Sequence, residues 1–306
     1  MTFRVAPIAI GLVIFPGAGP AASAATPAPS RALGADVTYS TDADSTDVVR
    51  LGTNLDPVYQ GPNHYLGIRL ERIAYRPSGQ HRTIDARAYI RAANKIGNWT
   101  YHATVGTNGD TILGSGSIND ESRFRKELFV ERDKVETPLG VTRPIYYTFG
   151  GAAIDLPLAP HTQLTLLGGL QDFTGHNVRE HLRANFIQML KENWGLTGQV
   201  RARYFRNSDP GEYDYYSPRD YVEILPLVQM RRFRGGWQYL AAAGWGGQHA
   251  SGSNWRQSRY LDFKLSSPAS RRGWIVNGEV VYSNTPISNR NTYDYLRTSL
   301  GLTRAF

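Results

Sequence analysis

Cysteine is absent from the 306 residues of the chain, which excludes disulfide bridges, thiolate zinc sites and cysteine nucleophiles. Long apolar runs are absent too, since a membrane-spanning helix needs about 20 apolar residues in a row and only residues 5–15 come close. A polytopic helical membrane protein is therefore excluded. The chain does contain 31 glycines and 18 tyrosines, and its aromatic content of 11% is too high for a disordered protein.

The first residues have the features of a secretory signal peptide. Arg4 supplies a basic start, residues 5–15 an apolar segment, and Ala22-Ser23-Ala24 a small-residue cleavage site. We predict a signal peptide over residues 1–24 and a flexible lead-in, rich in Ala, Pro and Ser, over residues 25–33. A retained N-terminal anchor is the alternative.

From residue 34 onward, apolar residues repeatedly occupy every second position. Residues 66–71 read LGIRLE, residues 84–91 read IDARAYIR and residues 260–265 read YLDFKL. Such alternation is typical of half-buried antiparallel strands. Residues 178–196 also fit a helical pattern, although part of that segment alternates. We predict one barrel domain over residues 34–306.

The connections between the alternating segments differ in length in a regular way. Short turns and longer connections follow one another, as in bacterial transmembrane barrels, which have tight periplasmic turns and longer extracellular loops. We predict an all-β fold, a transmembrane antiparallel up-and-down β-barrel of sixteen strands, with twelve or fourteen strands as alternatives. The short turns are residues 94–97, 119–122, 157–160, 191–193, 232–236 and 267–272, and the longer connections are residues 77–82, 133–142, 171–177, 207–217, 247–255 and 284–291.

The charge on one face of these strands indicates which face meets lipid. A lysine or arginine at the lipid midplane costs about 2–4 kcal/mol, so the charged face must enclose water and the apolar face must lie outward. A soluble barrel with its apolar face inward is the alternative. The residues assigned to the lumen are Arg69, Glu71, Asp85, Arg87, Arg91, His102, Arg201, Arg203, Glu223, Tyr260, Asp262, Lys264 and Arg297.

Aromatic residues mark the expected membrane interfaces. Trp99, Trp237, Trp245 and Trp274 fall near predicted strand ends on the apolar face, where aromatic girdles lie. We predict a location in the cell outer membrane, with its lipids and lipopolysaccharide as partners and no nucleic acid. The formal net charge of +8 suits lipopolysaccharide phosphates outside or an anion preference in the lumen.

The C-terminal residues carry a further signal. Residues 300–306, LGLTRAF, resemble the terminal strand by which the barrel assembly machinery recognises outer-membrane proteins. The resemblance implies that this machinery binds the chain through Phe306. Arg304 departs from the usual apolar residue, and the membrane interface tolerates it if its side chain snorkels to water.

A tyrosine-rich segment, GEYDYYSPRDY at residues 211–221, enters a predicted strand. This segment, the Gly236-Trp237 pair and the GWGGQ stretch at residues 244–248 resemble the C-terminal barrels of exopolysaccharide export porins. These include the cellulose, poly-N-acetylglucosamine and Pel exporters and the YaiO family. The resemblance covers residues 170–306 by motif and implies an outer-membrane channel in exopolysaccharide export. The large exporters carry periplasmic helical repeats that are not found here, so a periplasmic adaptor or synthase would be a separate protein.

Tyrosine stacks on sugar rings and offers a hydroxyl at low entropic cost. Tyr216 and Tyr221 therefore join the lumen residues as candidates for contact with a polysaccharide. The alternative is that residues 207–217 form an extracellular loop whose tyrosines mark the membrane interface.

A barrel enzyme acting on lipid or lipopolysaccharide is the alternative function. His176 and His181 lie around one predicted loop, and His249, Ser251 and Ser253 around another. A catalytic pair needs hydrogen-bond contact between nucleophile and base, and no histidines have metal-ligand spacing. We predict a non-enzymatic channel with no catalytic residue, metal or cofactor.

Overall fold

The computed structural model describes residues 30–43, 46–268, 273–285 and 294–306. These residues form sixteen antiparallel strands, each paired with its neighbours in chain order, and the first pairs with the last to close a barrel. The predicted all-β barrel of sixteen strands is confirmed. The predicted signal peptide lies outside the described residues.

The strands are long enough to cross a bilayer, where a tilted strand needs about 9–11 residues. A single short helix, α1 (Pro138–Thr142), lies within the described ranges, and no helix there is long and apolar enough to span a membrane. The strands are β1 (Ser30–Asp42), β2 (Asp47–Gly61), β3 (His64–Arg76), β4 (Thr83–Ile96), β5 (Trp99–Thr107), β6 (Ile112–Asp120), β7 (Lys126–Lys134), β8 (Tyr146–Ala159), β9 (Thr162–Phe173), β10 (Val178–Lys191), β11 (Leu196–Asn207), β12 (Asp220–Arg234), β13 (Trp237–Ala250), β14 (Arg256–Ser266), β15 (Trp274–Ser283) and β16 (Tyr295–Ala305).

Two local predictions are settled by these bounds. β1 begins at Ser30, so the last four residues of the expected lead-in belong to the barrel, because they pair with β2 and β16. The segment that also fitted a helical pattern is strand β10 followed by a single 3-10 turn, Glu192–Trp194. Pairing with β9 and β11 therefore overrides the helical pattern.

Turns and loops sort to opposite ends of the barrel, as predicted. The short-turn end carries connections as brief as residues 62–63 and 235–236, together with Ser30 and Phe306, the first and last described residues. The long-loop end carries residues 135–145 and 208–219. Residues 108–111 form a four-residue connection at this end that the sequence pattern did not reveal.

The barrel wall is apolar outside and polar inside. On β3, Leu66, Ile68 and Leu70 are 49%, 47% and 54% exposed, whereas Glu71 beside them is 6% exposed. This distribution excludes a soluble barrel with an apolar interior, since the leucines and isoleucines would then be the buried residues. The predicted orientation of the two faces is confirmed.

Tryptophans begin three strands at the short-turn end: Trp99 on β5, Trp237 on β13 and Trp274 on β15. The prediction for Trp245 is wrong. It lies within β13, because that strand pairs with β12 as far as Ala250 and with β14 as far as Gln248 instead of giving way to a loop at residue 247. Three of the four tryptophans therefore suit an interfacial girdle at that end.

The seam between β1 and β16 closes the sheet. Their register runs from Ala32 opposite Ala305 to Asp42 opposite Tyr295. Beyond it, Arg31 and Phe306 exchange backbone hydrogen bonds of 2.8 and 2.9 Å. The guanidinium of Arg304 lies 5.4 Å from the ring centroid of Trp274, which places the unusual arginine beside an interfacial aromatic residue. Recognition of Phe306 by the assembly machinery stays a prediction.

Paired glycines make room for aromatic rings on the inner wall. Gly151 on β8 lies directly opposite Gly169 on β9. A Cβ atom on Gly151 would lie 2.5 Å from the carbonyl oxygen of Gly168 and 2.7 Å from the ring of Phe129. The neighbouring Gly150 is different, because its nearest such contact is 3.7 Å. The inward glycine is therefore required for close approach, and the outward one is not.

We expect Gly151→Ala to destabilise the barrel by about 1–3 kcal/mol, as overpacking does. Gly150→Ala is the matched control and should change the free energy of unfolding by less than about 0.5 kcal/mol. Urea unfolding in lipid vesicles, followed by tryptophan fluorescence, measures both. Equal effects would contradict the packing argument.

Candidate functional site in the barrel lumen

The predicted lumen residues of the strands lie on the inner wall. Among them, Glu71, Asp85, Arg87, Glu223 and Asp262 are buried. They are not free groups facing water, because most of them pair with other inward side chains. The other residues predicted to lie in the lumen are all partly buried: Arg69, Arg91, His102, Arg201, Arg203, Tyr260, Lys264 and Arg297.

One half of the lumen holds a dense network of ion pairs, which we call the paired wall and define as the charged groups of β2, β3, β4, β7 and residues 135–145. Arg87 has a fully buried side chain. Its guanidinium lies 2.9 Å from Asp85 and 2.6 Å from Asp133, and it donates to the Tyr75 hydroxyl at 3.1 Å. These contacts satisfy its charge, so Arg87 links β4 to β7 along the inner wall.

Arg50 extends this network to the loop at residues 135–145. It lies 3.0 Å from Glu71 on β3 and 2.7 Å from Glu136 in the loop. Arg69 then joins Glu71, at 2.8 Å, to Asp36 on β1, at 2.6 Å. Sequence reasoning missed Arg50 and Glu136. Arg50 does occupy an inward position in the alternation of β2, a signal that the sequence analysis did not use.

Residues 135–145 fold into the barrel rather than away from it. Val141, on α1 of this loop, packs with Val48, Ile73 and Tyr75 on the inner faces of β2 and β3. The helix begins at Thr137, whose side chain accepts from the backbone N–H of Gly140. The loop therefore narrows the lumen from the long-loop end.

The tyrosine-rich segment also turns inward. Tyr215 is fully buried and stacks on Phe173 with ring centroids 4.3 Å apart. Tyr221 is 1% exposed, stacks on Phe205 at 4.7 Å and donates its hydroxyl to Gln248 at 2.8 Å. The interfacial interpretation of residues 207–217 is wrong for Tyr215, because this tyrosine is buried against Phe173 on the inner wall.

The burial of these tyrosines also limits contact with a solute. Tyr221 has no surface to offer a polysaccharide in this conformation, since its ring and hydroxyl are already occupied. Tyr216 is half-buried, and burial raises the pKa of its hydroxyl to about 12. Tyr216 therefore keeps its proton at neutral pH and stays a candidate for contact.

Two acidic residues tie the inward loops together. Asp214 accepts from the Thr137 hydroxyl at 2.6 Å and from the Leu139 backbone N–H at 2.7 Å. Glu212 accepts from the backbone N–H groups of His176 and Asn177. Residues 208–219 are thus hydrogen-bonded to residues 135–145 and to residues 176–177 at the long-loop end.

The opposite half of the lumen is rich in arginine, and we call it the arginine wall: Arg179 and Arg183 on β10, and Arg201 and Arg203 on β11. Arg179 donates to the side-chain oxygen of Asn207 at 2.8 Å and to the carbonyl oxygen of Tyr216. Arg203 lies 2.9 Å from Glu223 on β12. Positive charge therefore predominates on this side.

A cavity of about 400 Å³ lies within the barrel. Strands β1 to β7, β15 and β16 line it, and its charged groups include Arg50, Arg69, Glu131 and Arg297. The lumen therefore retains polar space between the paired wall and the seam, even though the inward loops fill part of it.

Two of the residues considered for catalysis, His181 and Ser253, have other partners. His181 is buried between Phe149 and Phe205, and its Nε2 lies 3.0 Å from Gln171 Oε1. The Ser253 hydroxyl donates to the carbonyl oxygen of Ala250. Within the described ranges, no three His, Asp or Glu side chains form a group suited to a metal ion.

The sequence matches no protein-family model and no curated relative. Solved structures do match the fold. The bacterial polysaccharide outer membrane secretin gives a TM-score of 0.64 at 12% identity, over 90% of this chain and 98% of that chain. OpdH of Pseudomonas aeruginosa gives 0.46 at 11% identity, over 92% and 100%. A loop L8 deletion mutant of OmpT, an outer membrane protein of Vibrio cholerae, gives 0.41 at 8% identity, over 90% and 98%.

The secretin match shows that this chain has the fold of an outer-membrane barrel. The apolar exterior and polar interior agree with that fold. The predicted location in the outer membrane is thereby confirmed.

We expect Arg87→Ala to destabilise the barrel by about 3–5 kcal/mol, because removing one partner leaves buried carboxylates without their cation. Lys95→Ala is the control, since Lys95 and its partner Glu121 are both 46% exposed and such pairs contribute about 0–1 kcal/mol. Urea unfolding in vesicles compares the two. A loss for Arg87→Ala as small as that for Lys95→Ala would contradict the role given to the paired wall.

We expect Asp214→Ala to loosen residues 135–145 without unfolding the barrel, because the Thr137 hydroxyl and Leu139 N–H lose their acceptor. A hydrogen bond to a charged group contributes about 1.5–3 kcal/mol, so local amide exchange should accelerate about tenfold or more. Asp209→Ala, an exposed residue of the same loop, is the control. Hydrogen exchange followed by mass spectrometry measures the exchange rate of residues 135–145 in both variants. An unchanged rate in Asp214→Ala would contradict the role of Asp214 in holding this loop.

Proposed function

We propose that the protein is an outer-membrane channel through which an exopolysaccharide leaves the cell. The observation that carries the proposal is the inner wall, which is charged along the length of the barrel while the outer wall is apolar. Barrels of sixteen strands are wide enough to leave an aqueous channel. A charged, hydrated lumen suits a strongly hydrated solute, for which hydrogen-bonding side chains replace bulk water.

The likeness to a polysaccharide secretin supports the choice of solute. That barrel matches this one along nearly its whole length, and the tyrosine-rich segment at residues 211–221 resembles the export porins. Glu212 and Asp214 of this segment hold it against the loops that include residues 137–139 and 176 at the long-loop end. We infer that residues 135–145 and 208–219 form the movable closure of the channel.

The proposed export function also involves other proteins and the lipids of the membrane. A periplasmic adaptor or a polysaccharide synthase is expected as a separate partner at the short-turn end. The barrel assembly machinery is expected to bind through Phe306, and lipids and lipopolysaccharide to surround the apolar exterior. Short turns facing the periplasm and longer loops facing outward agree with this orientation.

Planar-bilayer recordings test the channel. The wild-type barrel should give stepwise conductance, and Asp214→Ala should raise the mean conductance or the open time, because it frees the inward loops. Asp209→Ala should behave as wild type. A barrel that stays non-conducting in all three forms would overturn the channel.

A cellular measurement tests the solute. A strain of the source bacterium that lacks the protein should retain polysaccharide in the periplasm and release less of it, and restoring the wild-type gene should reverse both changes. Normal release by the deleted strain would overturn the export role while leaving the conductance result to stand.

A further inference from the structure

The arginine wall contains two arginines that lie directly opposite each other on neighbouring strands. Arg183 on β10 pairs in register with Arg203 on β11, and Arg201 lies two residues away on the same face of β11. Opposed residues in an antiparallel pair have Cβ atoms about 4.5–5.5 Å apart, and like charges so placed repel each other. Three arginines are therefore concentrated on one small area of the inner wall.

The protein supplies this area with little negative charge. Within the part of the chain that the structure describes, Arg203 has an ion pair with Glu223, and no carboxylate lies within 4.0 Å of Arg183 or Arg201. The Nε atoms of all three are buried and donate to no acceptor among those residues. The paired wall differs sharply, because Arg50, Arg69 and Arg87 each contact two or more carboxylates.

Aromatic rings hold these guanidinium groups in place. Arg183 lies 6.0 Å from the ring centroid of Phe149, Arg201 lies 5.0 Å from Tyr260, and Arg203 lies 5.2 Å from Tyr221. An aromatic face attracts a guanidinium and leaves its N–H groups pointing to the side. The arginines are thus oriented without having all their donors used.

The arrangement remains open to the lumen. The side chain of Arg203 is 15% exposed, and Arg183 and Arg201 are also only partly buried. A guanidinium presents donors in a fork that matches carboxylate or phosphate oxygens. An anionic group placed between these arginines would relieve their repulsion.

We propose that Arg183, Arg201 and Arg203 form a binding site for the anionic groups of an acidic polysaccharide in the lumen. The proposal rests on the proposed function for the identity of the polymer, whereas the anion site rests on these three side chains. The site gives the channel a preference for acidic over neutral glycans. It also places the contact with the polymer on the wall opposite the ion-paired one.

Calorimetric titration of the full-length barrel, folded in detergent at low salt, tests the site. The probes are tetragalacturonate for carboxylates, glucose 6-phosphate for phosphates and neutral cellotetraose. We expect tetragalacturonate or glucose 6-phosphate to bind more tightly than cellotetraose, and the tighter of the two identifies the anion. Binding should weaken as salt rises, because the attraction is electrostatic.

The double variant Arg183→Gln/Arg201→Gln should weaken binding of that anionic probe about tenfold or more, since hydrogen bonds to charged groups are strong. Arg206→Gln is the matched control, because Arg206 lies on the same strand but faces outward and is exposed. The control should bind as wild type. Unfolding midpoints verify that both variants fold, and the double variant should be no less stable, because it removes repulsion.

Equal binding by wild type and the double variant would overturn the site, as would equal affinity for anionic and neutral probes. The outcome is separable from that of the proposed function. A conducting barrel without arginine-dependent binding loses the site and keeps the channel, whereas a non-conducting barrel with such binding keeps the site and loses the channel.

Discussion

A peptide group without a hydrogen-bond partner is costly in hydrocarbon, so a sheet that enters a membrane must close on itself. The pairing of β1 with β16 meets that requirement. Closure then gives every strand a lipid side and an inner side, and polar residues are confined to the inner side. The polar interior, the ion pairs and the inward loops all depend on this separation.

The confined charges are arranged unevenly. On one half of the barrel, carboxylates and arginines neutralise each other at distances of 2.6–3.0 Å. This network links strands to the loop at residues 135–145 and holds that loop inside. On the other half, arginines rest on aromatic rings and have fewer acidic neighbours. One half is therefore cross-linked by ion pairs, while the other carries arginine charge that few carboxylates neutralise.

Local sequence patterns predict the strands of the barrel wall but not the contacts made inside the lumen. The placement of Arg69 and Glu71 follows from alternation, because a strand turns successive side chains to opposite faces. No local pattern predicts the pairing of Arg50 with Glu136, which are 86 residues apart. The sequence also does not predict that Tyr215 turns inward. A tyrosine in a polar loop is equally compatible with a membrane interface and with a buried core. Its partner Phe173 becomes apparent only when the strands are arranged around the barrel.

The closing seam also determines how the molecule must form. Residues at nearly opposite ends of the chain, Ala32 and Ala305, become neighbours only when β16 arrives. Until then β1 and β15 each present an unpaired edge, which is incompatible with lipid and prone to pair with other chains. Non-local pairing of this kind is slow to form. The sheet must therefore be nearly complete when it enters the bilayer. Insertion depends on the pairing of β16 with β1, because that pairing removes the last two unpaired edges.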